Sequence, residues 1–207
     1  KFALEVAFNN LTTGLDQPTE DPLVRQAMNY AVDVDAIVDA LFDGFGQRAT
    51  GYVADGEMGF GAVEPFPYDP EKAKELLAEA GYPDGEGWPG AELIYNTNEA
   101  HRKIAVAVQQ MWKDALNIEV TIANQEWKVY LSTLQTEGAA AQVWRLGWCL
   151  DYPDANNFTR EVFGCGGHEE TPLSWCSEEM TAICEEAALE PDMATRQQMY
   201  MDAEDIL

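Results

Sequence analysis

Residues 91–149 read AELIYNTNEAHRKIAVAVQQMWKDALNIEVTIANQEWKVYLSTLQTEGAAAQVWRLGWC, a stretch whose patterning switches repeatedly between strand and helix. It predicts a strand over 91–96, a helix over 99–115, a strand over 118–124, a helix over 126–137 and a strand over 140–149. That is a βαβαβ unit. Such units close by right-handed crossovers onto a parallel sheet, so the turns after the three strands open on one edge. Open α/β sheets bind ligands along that edge. At those strand ends stand Asn96 with His101, Gln125 with Trp127, and Trp148 with Asp151. The fold class predicted is α/β, a mixed and mostly parallel sheet flanked by helices.

Working outward towards the N-terminus, residues 4–8 alternate as a strand does and 11–19 form a Gly/Pro/Thr loop. Asp21-Pro22 starts a helix carrying Val24, Ala27, Met28 and Ala31, and Asp33 caps a second with Ile37, Val38, Leu41 and Phe42. Residues 44–68 hold six Gly and two Pro without sustained period, and read as a long surface excursion. Asp69-Pro70-Glu71 opens the next helix and Gly81 ends it. Beyond the central unit, a Gly/Cys loop from Gly164 to Cys176 leads to two more helices, one with Met180, Ile183, Cys184 and Ala187 on a face and one from Asp192 onward. Residues 201–207 stop inside a helical pattern without a Gly or Asn cap, which reads as a segment of a longer chain. Residues 1–207 are expected to form a single α/β lobe.

Twelve Lys plus Arg against 37 Asp plus Glu give a formal charge of -25, a field that repels phosphate backbones and anionic headgroups. Nucleic acid and membrane surfaces are therefore excluded as partners. No apolar run approaches the ~20 residues of a membrane span. None of the four cysteines forms a CxxC pair. Cys165 and Cys176 either bridge or stay as thiols, and a zinc set of Cys165, His168, Cys176 and Cys184 has the spacing of no common zinc module. There is no GxSxG elbow, HExxH, Walker loop or GxGxxG after a strand, and only two histidines exist to act as a base. Asp151 with Asp154 is a carboxylate pair of the kind glycosidases use, supported by nothing beyond proximity. Neither an enzyme, a cofactor nor a metal is implied.

The stretch Gly147-Trp148-Cys149-Leu150-Asp151-Tyr152 resembles the ligand motif of oligopeptide-binding proteins in the dipeptide/oligopeptide/nickel solute-binding family. Tyr95 to Lys103, Trp112-Lys113 and Asn124 to Lys128 are similar to the same proteins in the same order. So are Val24 to Ala27, Ala31 to Val38 and Asp69 to Leu77. The resemblance implies the C-terminal lobe of a two-lobed, periplasmic-binding-protein-like architecture. By that resemblance Asp151 pairs with the ammonium of a bound peptide. Arg145 and His101 match positions that receive the peptide's carboxylate, and Trp127 and Trp148 match aromatics lining side-chain pockets. Cys149 matches a position that can be disulfide-bonded; with no obvious partner here, it is expected to be a buried free thiol. A second cleft arginine of the family is replaced by Leu134, and the segment from Leu134 to Arg145 is two residues longer than usual. The implied role is the substrate-binding component of an ABC peptide importer: a periplasmic or cell-surface monomer that hands oligopeptides to permease subunits. Same-family binders of an oligosaccharide, nickel or haem, and a receptor-contacting sensor, are the alternatives.

Overall fold

The computed structural model describes residues 3–8, 18–42, 46, 48–54, 56–60, 64–136, 142–149, 151–168 and 176–207. Four strands, β1 (Ala3–Phe8), β2 (Ala91–Asn96), β3 (Val120–Gln125) and β4 (Val143–Trp148), form one sheet in the order β1-β4-β2-β3. Both β3 and β4 run parallel to β2, as the βαβαβ reading requires. The third strand of that unit does not continue outward from the second. It returns to the far side of the first, which alternation alone does not reveal. With right-handed crossovers, α4 (Glu99–Leu116) and α5 (Trp127–Leu134) then cover opposite faces. Strands β2 and β4 are therefore neighbours, with the helix leaving β2 on one face and the helix entering β4 on the other, the kind of strand-order reversal at which open sheets bind ligands.

Contacts group the chain into two compact units. The first comprises residues 6–48 and 66–146. Its core is built where α1 (Pro22–Tyr30), α2 (Val34–Phe42) and α3 (Pro70–Glu79) pack with α4, burying Val24, Met28, Leu77, Val108 and Trp112. Trp112 can lie fully inside because its indole N–H donates to the Met28 carbonyl at 2.8 Å, leaving no buried donor unpaid. The helix starts are those the sequence announces. Asp21 accepts from Leu23 N, Asp33 from Ala36 N, Asp69 from Lys72 N and Asn98 from Ala100 N, each satisfying a donor the first turn leaves over. Helix α4 ends at Asn117, which takes the left-handed conformation at φ 54° and donates its side-chain N–H to the Asp84 carbonyl. Strand β3 starts at Val120, two residues later than predicted, although Ile118 is already buried. Helix α5 stops at Leu134, earlier than predicted, and residues 137–141 lie outside the described ones.

The second unit comprises residues 1–5, 49–65 and 147–207. Its helices are α6 (Arg160–Phe163), α7 (Glu178–Ala187) and α8 (Met193–Glu204), packed around Phe158, Met180, Cys184, Tyr200 and Ala203. The segment predicted as a surface excursion belongs in part to this core. Val53 is buried and its N–H donates to the buried Glu204 carboxylate at 2.8 Å. Gly59, at φ 91°, lies so close to Ala155 and Tyr200 that a Cβ there would overlap both. Gly59, one of the glycines read as loop markers, therefore serves close approach: an irregular backbone is buried by side chains brought from distant residues.

Candidate functional site

In the first unit, β2 and β3 end level with one another at Asn96 and Gln125. The chain leaving β2 is fastened there. Thr97 N–H donates to the Gln125 carbonyl at 2.8 Å and its hydroxyl to Asn124 Oδ1 at 2.7 Å. Asn98 then caps α4 through Ala100 N and His101 N, so His101 stands in the first turn with Nδ1 3.4 Å from the Asn96 carbonyl. Partial burial, and secondarily the Arg145 cation, lower the His101 pKa, while the Asn96 carbonyl opposes them. The fold thus brings His101 and Arg145 within electrostatic reach, and both effects favour the neutral imidazole. Trp127 opens α5 with 46% of its surface exposed, its ring stacked on Tyr130 at 6.3 Å between centroids. Leu134 is completely buried.

Tyr130 is a residue that the sequence reading passed over. Its side chain is fully buried, and its hydroxyl donates to the Arg145 carbonyl at 2.6 Å while accepting from the Arg145 N–H at 3.2 Å. The Ile94 carbonyl lies 3.3 Å from the same oxygen. Paired residues of β2 and β4 are Leu93 with Val143 and Ile94 with Trp144. At the next step the hydroxyl occupies the place of a ladder bond. The switch point is thus physically marked: a tyrosine from α5 bridges β2 and β4 and fixes the backbone of Arg145. Its only sequence signal is a helical tyrosine spaced like a core residue. Close by at the strand ends, the buried Asn96 Oδ1 and Gln125 Oε1 have no hydrogen-bond partner among the described residues.

In the second unit the end of β4 is organised by Asn157, another residue not singled out from sequence. Its side chain is 1% exposed, and Oδ1 accepts from Trp148 Nε1 and from the Asp151 N–H, both at 3.0 Å. Its Nδ2 donates to Asp151 Oδ2 at 3.4 Å. Trp148 also meets the His168 ring edge-on at 5.2 Å. Asp154 is occupied elsewhere. One oxygen caps the Ala155–Asn157 turn through Asn156 N and the other accepts from Arg196 of α8 at 2.6 Å, a largely buried ion pair. Arg196 also lies over the Tyr200 ring, whose hydroxyl is pushed up to about 12 by burial and by Asp154. A general acid or base paired with Asp151, as a glycosidase needs, is therefore not available at Asp154 without breaking that ion pair.

Two expectations about cysteine are corrected or decided here. Cys149 is a free thiol but exposed, not buried, because it lies one residue past the last of β4. Cys165 and Cys176 form a disulfide, which removes two ligands from the zinc set considered above. Cys184 is buried, its thiol bonded to Thr159 Oγ1 and raised in pKa chiefly by burial.

Comparison with known proteins places this arrangement. Residues 3–170 match the model of the bacterial extracellular solute-binding proteins, family 5 (middle). The oligopeptide-binding protein OppA of Bacillus subtilis strain 168 is 32% identical over 199 residues, covering 92% of this chain and 36% of that protein. Among solved structures, a periplasmic oligopeptide-binding protein of an oligopeptide ABC transporter (OppAIV) from Borrelia burgdorferi superposes with a TM-score of 0.86 at 27% identity, over 99% of this chain and 40% of that one. The ABC transporter-associated periplasmic binding protein DppA from Helicobacter pylori, in complex with the peptide STSA, gives a TM-score of 0.82 at 27% identity over 99% and 39%. The chain thus spans little more than a third of the curated relative's length. With a periplasmic-binding-protein fold and a family match across most of its residues, this chain belongs to the bacterial extracellular solute-binding proteins of family 5.

Proposed function

We propose that this chain supplies one lobe of the peptide-binding component of an ABC importer, acting in the periplasm or at the cell surface and delivering oligopeptides to permease subunits. Asp151 receives the peptide's ammonium, His101 and Arg145 its carboxylate, and Trp148 and Trp127 side chains of varied shape. The observation that carries this reading is the state of Asp151. Its carboxylate is exposed at the end of β4, yet the loop holding it is fastened by Asn157 and by the Asp154–Arg196 pair. A fixed anion of this kind recognises a backbone terminus and reads no side chain, which suits a binder of many sequences. A sugar offers hydroxyls to the aromatics but has no use for a fixed ammonium-binding carboxylate.

The test is calorimetry on the full-length protein, unmodified and with Asp151→Ala, against di- to pentapeptides, oligosaccharides, nickel and haem. Peptide binding that Asp151→Ala weakens by about tenfold or more is expected. Binding of a sugar, nickel or haem with no response to peptides would overturn the cargo and the assigned roles together.

A further inference from the structure

We propose that Asn157 is the positioning residue that sets the free-amine preference of this site, acting through Asp151 and Trp148 without touching ligand itself; the inference rests on the reading of Asp151 as the ammonium-binding carboxylate. Asp151 by itself is poorly placed to discriminate. It is exposed, it follows the last paired residue of β4, and an exposed carboxylate on a free loop samples several rotamers. Discrimination between an ammonium and an acylated amine requires the oxygen to be held where the ammonium arrives.

Asn157 supplies that restraint. It sits in the Ala155–Asn157 turn, which is rooted in the core by the fully buried Ala155 and nearly buried Phe158, and tied to α8 through Asp154 and Arg196. From this rigid seat its amide makes three contacts. The oxygen takes two N–H donors, Trp148 Nε1 and the Asp151 backbone, and the nitrogen faces Asp151 Oδ2. Two donors converging on one atom fix the orientation of the amide, since the reverse would set N–H against N–H. The nitrogen is therefore directed at the carboxylate, whose orientation it restrains. Asparagine is the side chain that meets all three demands. Aspartate would place a second negative charge beside Asp151, and serine lacks the reach to serve both Trp148 and Asp151. The same amide holds the indole of Trp148, whose ring is braced from another side by His168, so the carboxylate and its neighbouring aromatic are oriented as one unit.

The experiment uses the full-length protein with trialanine and N-acetyl-trialanine, comparing unmodified protein, Asp151→Ala, Asn157→Ala and Asn157→Leu by calorimetry. Unmodified protein prefers the free amine. In both Asn157 variants the ratio of the two affinities falls by about tenfold or more, through the free-amine peptide alone. A merely structural role would weaken both peptides equally and leave the ratio intact, which overturns the inference while Asp151→Ala still abolishes the preference. If Asp151→Ala keeps the preference, the reading of Asp151 itself fails and the inference goes with it. Should the Asn157 variants not fold, amide hydrogen exchange of the unmodified protein decides: an Asp151 N–H exchanging about 100-fold or more slowly than an unstructured peptide supports the bond to Asn157, and exchange at the unstructured rate refutes it.

Discussion

Removing one oxygen atom, in Tyr130→Phe, tests the claim that a hydroxyl from α5 holds the switch point together. The ring stays and its packing is unchanged, so the loss is confined to hydrogen bonds. The Arg145 N–H and C=O both use that hydroxyl, and the Ile94 carbonyl lies beside it. Leaving a buried backbone group without a partner costs about 1–3 kcal/mol. Two hydrogen bonds to the hydroxyl are lost, and partial exposure of Arg145 lets water recover some of the loss, so about 2–4 kcal/mol is the expected local destabilisation. This corresponds to protection factors lower by roughly 30- to 700-fold for the Arg145 and Leu146 amides. Native-state hydrogen exchange on the full-length protein reads those amides individually and avoids assuming two-state unfolding in a chain with two compact units. Protection within threefold of the unmodified protein would refute the reasoning, because it would mean that β2 and β4 close a direct ladder without the tyrosine. A loss spread evenly over α1 and α3 as well would point instead to general core damage.

His101 makes stability depend on pH. Its folded pKa lies below the ordinary 6.5, so the unfolded chain binds more protons in the window between the two values. Stability is therefore full above about 6.5 and declines as pH falls towards the folded pKa; denaturation midpoints measured from pH 7.5 to 5 should show that decline, with His101→Gln flattening it. The Cys165–Cys176 bridge closes a loop with a sequence separation of 11, for which chain entropy alone suggests about 3 kcal/mol of stabilisation. Cys165→Ser and Cys176→Ser should each lower the stability of the second unit by a similar amount, and the double substitution by no more than either; additive losses would show that the thiols act separately.

Much of the architecture was legible because local rules decided it. The capping residues Asp21, Asp33 and Asp69 each bond the first turn that the sequence assigned to them. Strand β2 has the predicted bounds, and the parallel sense of all three strands follows from the helices between them. The resemblance to solute-binding proteins was likewise legible, carried by contiguous motifs such as Gly147 to Tyr152. Element ends were less so. Helix α5 and strand β4 are shorter than their patterns because pattern reports apolar spacing, whereas the hydrogen-bonded ladder stops where partners stop.

What the sequence by itself determined, then, is the alternation of strands and helices, the capped helix starts and the set of polar residues gathered at the strand ends, since each depends on neighbours within a few positions. Only the tertiary structure decided the strand order β1-β4-β2-β3, and with it the switch point between β2 and β4. It also decided the burial of residues near Val53 against α8, the exposure of Cys149, and the use of Tyr130 and Asn157 as fasteners. Each of these joins groups far apart in the chain or set by a loop's path. Their free energy comes from satisfying specific buried polar atoms, and no local periodicity encodes which distant atom will be the partner.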